Sequence, residues 1–230
     1  MLVRDRMSAP AVTVRPDTVF RDALKLMHHR RFRRLPIVDD RQKLVGVVSE
    51  RDLTYAFPSQ GPSLNVWDVN YLLSGVPIRE VMTTDVVTTT ADTPVEDAAR
   101  LMADHRVGGL PVVDEEERVL GLITETDIFK AFVEMFGGGH AGLRLTLEVP
   151  ERTAVLTELG TAIWELGGRI VSIGSFSTGV SGRRGLVVKV RNVGKQRLVE
   201  LLEGLGEHVL DAREVTLQTA SGPRASDAVQ

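Results

Sequence analysis

The chain has 230 residues, enough for one large or two ordinary domains. Hydrophobic residues make up 43% and charged residues 26%, a balance that excludes a disordered or fibrous protein. A net charge of −3 argues against binding to nucleic acid or an anionic membrane, and the absence of cysteine excludes disulfides and thiolate metal sites.

The first ten residues lack the apolar core of a signal peptide. No stretch of the sequence approaches the roughly 18 apolar residues that a membrane span requires. We therefore expect a cytoplasmic protein with no membrane partner.

The strongest feature of the sequence is an internal repeat. Residues 3–53 align with residues 78–128 at a constant offset of 75 without a gap, and about a third of the positions are identical. The identical pairs include Met7 with Met82, Asp17 with Asp92, Arg31 with Arg106, Leu35 with Leu110, and Gly46 with Gly121. Two copies predict a pseudo-two-fold pair in which each half covers the apolar face of the other.

Each copy shows the same predicted order, β-α-β-β-α. A short extended segment comes first, at residues 12–14 and 87–89, and an amphipathic helix follows it. In the second copy, Thr93-Pro94-Val95-Glu96 predicts a threonine N-cap, a proline at the first helical position and a capping box. Two β-branched runs around a charged turn then predict a hairpin, and a second helix closes the unit.

The repeats are predicted to occupy residues 1–60 and 78–136, with residues 61–77 as the linker. Within the linker, residues 65–73 have the spacing of a short amphipathic helix.

A third unit follows a glycine-rich linker at residues 137–142. Residues 143–149 alternate with the period of a half-buried strand, and the order of predicted elements through residue 218 is β-α-β-β-α-β, which is ferredoxin-like. The apolar faces predicted for its two helices are Val155, Leu156, Leu159, Ile163 and Leu166, then Leu198, Leu201, Leu202 and Leu205. Residues 219–230 are small and polar, and we expect them to be disordered. The predicted fold class is α/β (α+β).

Residues 46–52 and 121–127 carry the chemistry of the repeats. Each segment runs glycine, two apolar residues, a hydroxyl residue, two variable residues and an aspartate. This spacing lets Ser49 and Asp52, or Thr124 and Asp127, converge on a ribose diol. A carboxylate accepts hydrogen bonds from both ribose hydroxyls. The alternative is structural: the hydroxyl residue caps a helix and the aspartate favours its positive end. The two interpretations are compatible.

The repeat resembles the CBS domain family. The resemblance rests on Leu-Pro-Ile-Val-Asp at residues 35–39 and Leu-Pro-Val-Val-Asp at residues 110–114, each followed by the glycine–hydroxyl–aspartate motif, and it covers about residues 1–135. It implies a domain pair that binds AMP, ADP, ATP or another adenosyl compound, such as NAD or S-adenosylmethionine, in clefts between the repeats. It also implies that the two hydroxyl–aspartate pairs hold ribose.

The residues before each Leu-Pro segment would, by the same resemblance, face the phosphates. They are Arg33 and Arg34 in the first copy but Gly108 and Gly109 in the second, so we expect the two clefts to differ in charge.

Residues 28–34, which include Arg33 and Arg34, form the most basic stretch of the chain. One interpretation is a solvated helix end whose cations complement the helix dipole. The other is a phosphate site, because the guanidinium fork matches phosphate oxygens. Nucleic acid is a weaker alternative given the net charge, and a metal site at His28-His29 lacks a carboxylate at ligand spacing.

The third unit resembles the ACT family of small regulatory domains, which bind amino acids or mediate dimers. The matching segments are residues 149–156 and 168–170. That family usually has Asp-Arg-Pro-Gly where this chain has Glu151-Arg152-Thr153-Ala154, and the missing glycine argues against close backbone approach to a ligand. A dimer or partner role is therefore favoured, although an ordinary strand-to-helix turn has the same pattern.

The whole arrangement resembles acetoin-utilisation regulators of the AcuB type, which implies a link to carbon metabolism. Walker A, His-Glu-x-x-His and Gly-x-Ser-x-Gly motifs are absent. The sequence thus predicts a non-catalytic sensor that binds an adenine nucleotide, forms a homodimer and regulates a protein partner. The alternative is an amino-acid sensor that acts through the ACT-like unit with the CBS pair as a scaffold.

Overall fold

The computed structural model describes residues 1–55 and 75–216. The helix predicted at residues 65–73 and the tail predicted at 219–230 lie outside these ranges. The chain divides into two compact units, residues 1–129 and the residues from 130 onward. The glycines at 137–139 fall within the second unit, where Nζ of Lys189 donates a 2.8 Å hydrogen bond to the carbonyl of Gly137. Their role as a linker stays a prediction.

The first unit contains both repeats, each with a helix, a hairpin and a second helix. The first repeat comprises α1 (Phe20–Arg30), β1 (Arg34–Val38), β2 (Leu44–Ser49) and α2 (Glu50–Tyr55). The second comprises α3 (Val95–His105), β3 (Gly109–Val113), β4 (Val119–Thr124) and the start of α4 (Glu125–Met135). The hairpins share one register, because Leu35 pairs with Val48 as Leu110 pairs with Ile123. The predicted hairpins are therefore confirmed.

Two local predictions for the repeats are wrong. The first extended segment is not a strand, since each copy makes only one parallel bridge, Val14 to Ile37 or Thr89 to Val112. The threonine cap of α3 is also absent: Pro94 is the N-cap, and Oγ1 of Thr93 instead accepts a hydrogen bond from the Thr90 amide at 3.3 Å. The hydroxyl is used in the turn that precedes the helix.

The two repeats exchange their N-terminal segments. Val3 is fully buried in the core of the second repeat, and its equivalent Ile78 is fully buried in the core of the first. After each of these residues, the segment pairs with the second hairpin strand of the other repeat. Ser8 pairs with Leu122 in β4, and Thr83 pairs with Val47 in β2. Each repeat therefore completes the core of its neighbour.

The repeated glycine of the motif permits this exchange. A Cβ on Gly46 would lie 2.8 Å from Sδ of Met82 and 3.0 Å from the carbonyl oxygen of Thr83. A Cβ on Gly121 would meet the equivalent atoms of the first repeat, Sδ of Met7 and the carbonyl oxygen of Ser8, at 2.7 and 2.9 Å. A side chain at either position would push the exchanged segment off the strand.

The second unit has the predicted β-α-β-β-α-β order. Its elements are β5 (Gly142–Pro150), α5 (Val155–Glu165), β6 (Arg169–Ser177), β7 (Arg183–Arg191), α6 (Lys195–Gly204) and β8 (His208–Val215). The four strands form one antiparallel sheet in the order β6-β7-β5-β8. The predicted alternation at 143–149 is confirmed, since every second residue from Leu143 is buried.

Two leucines assigned to the apolar helix faces of this unit are exposed. Leu156 is 58% exposed because α5 buries Val155, Leu159 and Ile163 instead. Leu205 is 44% exposed and lies beyond the end of α6. Throughout both described ranges, no helix has the length and apolar character to cross a membrane.

Candidate functional site

The hydroxyl–aspartate pair of the first repeat holds the start of α2. The amide and hydroxyl of Ser49 both donate to Oδ2 of Asp52, at 2.8 and 2.7 Å. The amide of Asp52 in turn donates to Oγ of Ser49 at 3.1 Å. This reciprocal arrangement satisfies backbone donors that a helix start leaves free, so the structural alternative is confirmed for this pair.

The second repeat has two of these three hydrogen bonds at the start of α4. The amide and the hydroxyl of Thr124 donate to Oδ2 of Asp127 at 2.9 and 2.6 Å. In both repeats the hydrogen bonds between motif residues use Oδ2 of the aspartate, which leaves Oδ1 able to accept from another group. The structural role of each aspartate is therefore compatible with ligand binding.

Both aspartates line cavities of the size of small-molecule sites. The cavity at Asp52, here the Asp52 cavity, has a volume of about 370 Å³, and the one at Asp127, the Asp127 cavity, about 310 Å³. Each takes its aspartate from one repeat and an arginine-bearing turn from the other, residues 31–34 for Asp127 and residues 106–109 for Asp52. Both cavities lie between the repeats, as the CBS resemblance implied.

The two linings are equivalent along almost their whole length. Every residue that lines the Asp127 cavity has its counterpart 75 positions away in the lining of the Asp52 cavity. The one mismatch is Arg34 in the lining of the Asp52 cavity, whose counterpart Gly109 does not line the Asp127 cavity. The pairs that differ most in chemistry are Pro10 with Asp85, Thr126 with Arg51, Arg33 with Gly108, and Arg34 with Gly109. The two cavities therefore have equivalent backbone positions but different side chains.

The expected difference in net charge is absent. The Asp127 cavity is lined by three arginines and two carboxylates, and the Asp52 cavity by four arginines and three carboxylates. Each has one excess positive charge because Arg33 and Arg34 line both cavities rather than one. What differs is the placement of charge, with Asp85 and Arg51 present only in the Asp52 cavity.

Sequence reasoning missed Arg106 as a lining residue and included Arg31 only within the basic stretch of residues 28–34. Both follow the last helical residue of α1 or α3 and have left-handed backbones, with φ of 57° and 54°. Such a conformation is uncommon for a residue other than glycine, and it often occurs at functional sites. Their identity in the two copies was the signal that could have pointed to them.

Arg34 is half-buried and experiences charges from both cavities. Burial lowers the pKa of its guanidinium, whereas Glu125 and Asp52 raise that pKa and Arg33 lowers it. Glu125 lines the Asp127 cavity and Asp52 lines the other. The guanidinium stays protonated at neutral pH.

The His28-His29 pair lies in the last turn of α1, where Nε2 of His28 contacts Oε1 of Glu50 at 3.2 Å. Across the part of the chain that the structure describes, no group of three or more histidine, aspartate or glutamate side chains is arranged to hold a metal ion.

Known proteins share the architecture of the first unit. A sequence profile of the CBS domain matches residues 3–59 and 78–134. A CBS domain-containing protein of Dictyostelium discoideum is 33% identical over 135 residues, which are 59% of this chain and 93% of that protein. The chain spans only 23% and 46% of the length of two other curated relatives, with which it shares 32% and 33% identity.

Two solved structures resemble the chain at 31% identity. A protein from Vibrio cholerae described as an acetoin utilization protein (AcuB) has a TM-score of 0.50, over 60% of this chain and 93% of that one. CBSX2 of Arabidopsis thaliana, solved in complex with AMP, has a TM-score of 0.48, over 57% of this chain and 96% of that one. With its two matched repeats and a relative of its own family covered almost completely, this chain belongs to the CBS domain family.

Proposed function

We propose that the protein is a non-catalytic regulator that binds an adenine nucleotide, or another adenosyl compound, in its two cavities. One observation carries the proposal: each cavity combines arginines with an aspartate whose Oδ2 is fixed by the helix start and whose Oδ1 is left to accept. AMP, ADP and ATP are the first ligands to test, followed by NAD and S-adenosylmethionine.

The chemistry of the cavities suits a nucleoside phosphate. A carboxylate oxygen accepts from ribose hydroxyls, and its charge strengthens the hydrogen bond. Guanidinium groups match phosphate oxygens in geometry and charge. Volumes of about 310 and 370 Å³ lie at the lower end of the range of small-molecule sites, about 300–1,000 Å³. The hydrogen bonds that Ser49 and Thr124 donate to their aspartates orient each carboxylate for contact with ribose.

The composition of the linings supports binding rather than turnover. Among the described residues that line the two cavities, none is a histidine or a lysine. The hydroxyls of Ser49 and Thr124 donate to carboxylates that also hold a backbone amide, an arrangement that orients a group but does not activate a nucleophile.

We assign the second unit to signal transmission or homodimer formation, as the ACT resemblance suggests. The AcuB likeness supports a role in acetoin or carbon metabolism. Light scattering at micromolar concentration tests the dimer, and a monomer mass would contradict it.

An amino-acid sensor remains the second candidate because of a cavity in the second unit. It has a volume of about 430 Å³ and lies at the turn between β5 and α5, where the ACT resemblance was found. Its charged residues are already paired with other protein groups, Arg184 with Glu151 at 3.0 Å and Arg152 with Glu158. Ligand carboxylates would have to displace these pairs, which favours the nucleotide proposal.

Calorimetry with Asp52→Asn and Asp127→Asn variants tests the nucleotide proposal. Asparagine keeps an oxygen for the amide of Ser49 or Thr124, so the helix start should persist, but the charged acceptor is lost. A hydrogen bond to a charged group contributes about 1.5–3 kcal/mol, so we expect about a tenfold or greater loss of AMP affinity in the altered cavity. The unaltered cavity is the internal control.

Two results would contradict the proposal. One is wild-type affinity in both asparagine variants, which would leave the aspartates with a structural role alone. The other is the absence of binding by any of the adenosyl compounds at millimolar concentration. Heat from amino acids in the same experiment would then favour the second candidate.

A further inference from the structure

Arg34 extends from the first repeat into the space of the second. It is the first residue of β1, and it pairs with Ser49 at the end of β2. Its counterpart is Gly109, paired with Thr124 in the same way. The second repeat thus has no side chain where the first has a guanidinium, and Arg34 occupies the region left open.

Gly108 makes this position possible. A Cβ on Gly108 would clash with Nη2 of Arg34 and would lie 2.7 Å from Oε2 of Glu125. A Cβ on Gly109 would lie 3.5 Å from Cδ of Arg34. The side chain therefore runs past both glycines, and its charged end lies beside a carboxylate that lines the Asp127 cavity.

The same side chain also lines the Asp52 cavity. Acidic groups from both cavities favour its charged form, Glu125 from one and Asp52 from the other. A single guanidinium fork binds one phosphate group through two parallel hydrogen bonds, and it cannot present this geometry to two cavities at once. Arg33 lines both cavities as well, but it is exposed, so water and salt screen its charge.

On the basis of the proposed function, we propose that Arg34 is a cation shared by the two cavities, so that a phosphorylated ligand in one cavity weakens the binding of a second phosphorylated ligand in the other. The first phosphate takes the guanidinium and adds negative charge near the empty cavity. A neutral adenosyl ligand does not compete for Arg34, and it should fill both cavities independently. The two sites are thereby coupled through one side chain.

Single-cavity variants measure this coupling. Val47 and Leu122 are equivalent half-buried residues that line the Asp52 and Asp127 cavities respectively. Val47→Trp and Leu122→Trp should each fill one cavity and leave the other open. If the cavities are independent, the wild-type isotherm equals the sum of the isotherms of these two variants.

For AMP we expect the second wild-type binding event to be at least about fivefold weaker than that sum requires, the lower end of usual coupling strengths. For adenosine we expect the wild-type isotherm to equal the sum of the two single-cavity isotherms. Arg34→Ala in the wild-type and both single-cavity backgrounds should abolish this weakening of the second AMP binding event. Arg33→Ala, the matched control, should lower AMP affinity but leave the weakening in place. Melting curves of every variant establish that each is folded.

The results separate this inference from the proposed function. One contrary outcome is that adenosine and AMP bind but the AMP isotherm equals the sum of the two single-cavity isotherms. Another is that the weakening of the second AMP binding event persists in Arg34→Ala. Either would show that Arg34 is not a shared cation although the cavities bind nucleotides. If neither adenosine nor AMP binds at millimolar concentration, the proposed function is wrong and the inference fails with it.

Discussion

The two repeats of the first unit have one backbone but two sets of side chains in their cavities. Identical residues lie where the backbone needs them: Gly46 and Gly121 admit the exchanged segment, and Leu35 and Leu110 are both fully buried. The cavity linings differ at several positions, as at Pro10 and Asp85. Substitutions at these positions change the chemistry of a cavity without disturbing the fold.

This division has a consequence for charge. The first repeat carries Arg33 and Arg34 and the second carries two glycines, yet both cavities have the same excess of one cation because the arginines line both. Two arginines that occur in only one repeat thus contribute positive charge to both cavities. Four pairs of equivalent substitutions test how far the equivalence of the repeats extends.

The largest effect is expected at the exchanged segments. Ile78→Ala should destabilise the first unit by about 2–5 kcal/mol because it opens a cavity in a fully buried core. Val3→Ala should cost less, since it removes one carbon fewer at the equivalent place. Urea unfolding measures both, with the exposed Val180→Ala as the control. Wild-type midpoints for both core variants would show that the segments are not part of the cores.

The motif glycines should come next. Gly46→Ala and Gly121→Ala each force the exchanged segment away from a Cβ at 3.0 Å or less from a backbone oxygen, and overpacking of this kind costs about 1–3 kcal/mol. The melting temperature should fall by similar amounts in both variants. Gly75→Ala is the matched control because no atom of the described residues lies within 4 Å of the added carbon. A drop in only one of the two would break the equivalence of the repeats.

Replacing the left-handed arginines should raise stability and lower affinity together. Arg31→Gly and Arg106→Gly relieve a backbone conformation that costs residues with a Cβ about 1–2 kcal/mol, less the entropy that glycine loses on folding. We expect a gain of up to about 1 kcal/mol and weaker AMP binding by calorimetry. Gln42→Gly, also left-handed but outside both cavities, should gain stability and leave binding unchanged.

The smallest effect concerns acid stability at the two hairpin turns. The amide of Lys43 bonded to Asp39 lowers the pKa of that carboxyl; at Asp114 burial raises the pKa, but hydrogen bonds from Arg118 and Glu116 lower it overall. A lowered folded pKa stabilises the protein above the unfolded value, about 3.9, and this stabilisation is lost as the pH falls through the folded pKa.

Asp39→Asn and Asp114→Asn keep an acceptor for the turn amides and remove the titration. Melting temperatures of these variants should therefore depend less on pH than those of the wild type below about pH 4, and the wild type should be slightly the more stable at neutral pH. Parallel pH profiles for all three proteins would contradict this assignment. Both carboxylates are partly exposed to solvent, which screens their interactions, so the differences should be small.

The sequence by itself determined the local elements and the positions of the motif. The offset of 75 placed both cavities' aspartates at the start of a helix, and the alternation at 143–149 specified a strand with one buried face. These predictions succeeded because periodicity and capping depend on residues within one or two turns of each other. Where a local pattern was overridden, as at Thr93, a competing turn hydrogen bond took the hydroxyl.

Only the tertiary structure decided which repeat supplies which part of each cavity. Asp127 is paired with an arginine turn of the first repeat, and Val3 is buried in the second. Arg34 lines both cavities because Gly108 leaves room for it. Such contacts join residues about 75 or more positions apart, and local sequence patterns do not encode them. They follow from burying the apolar faces of both repeats against each other, which fixes where distant side chains meet.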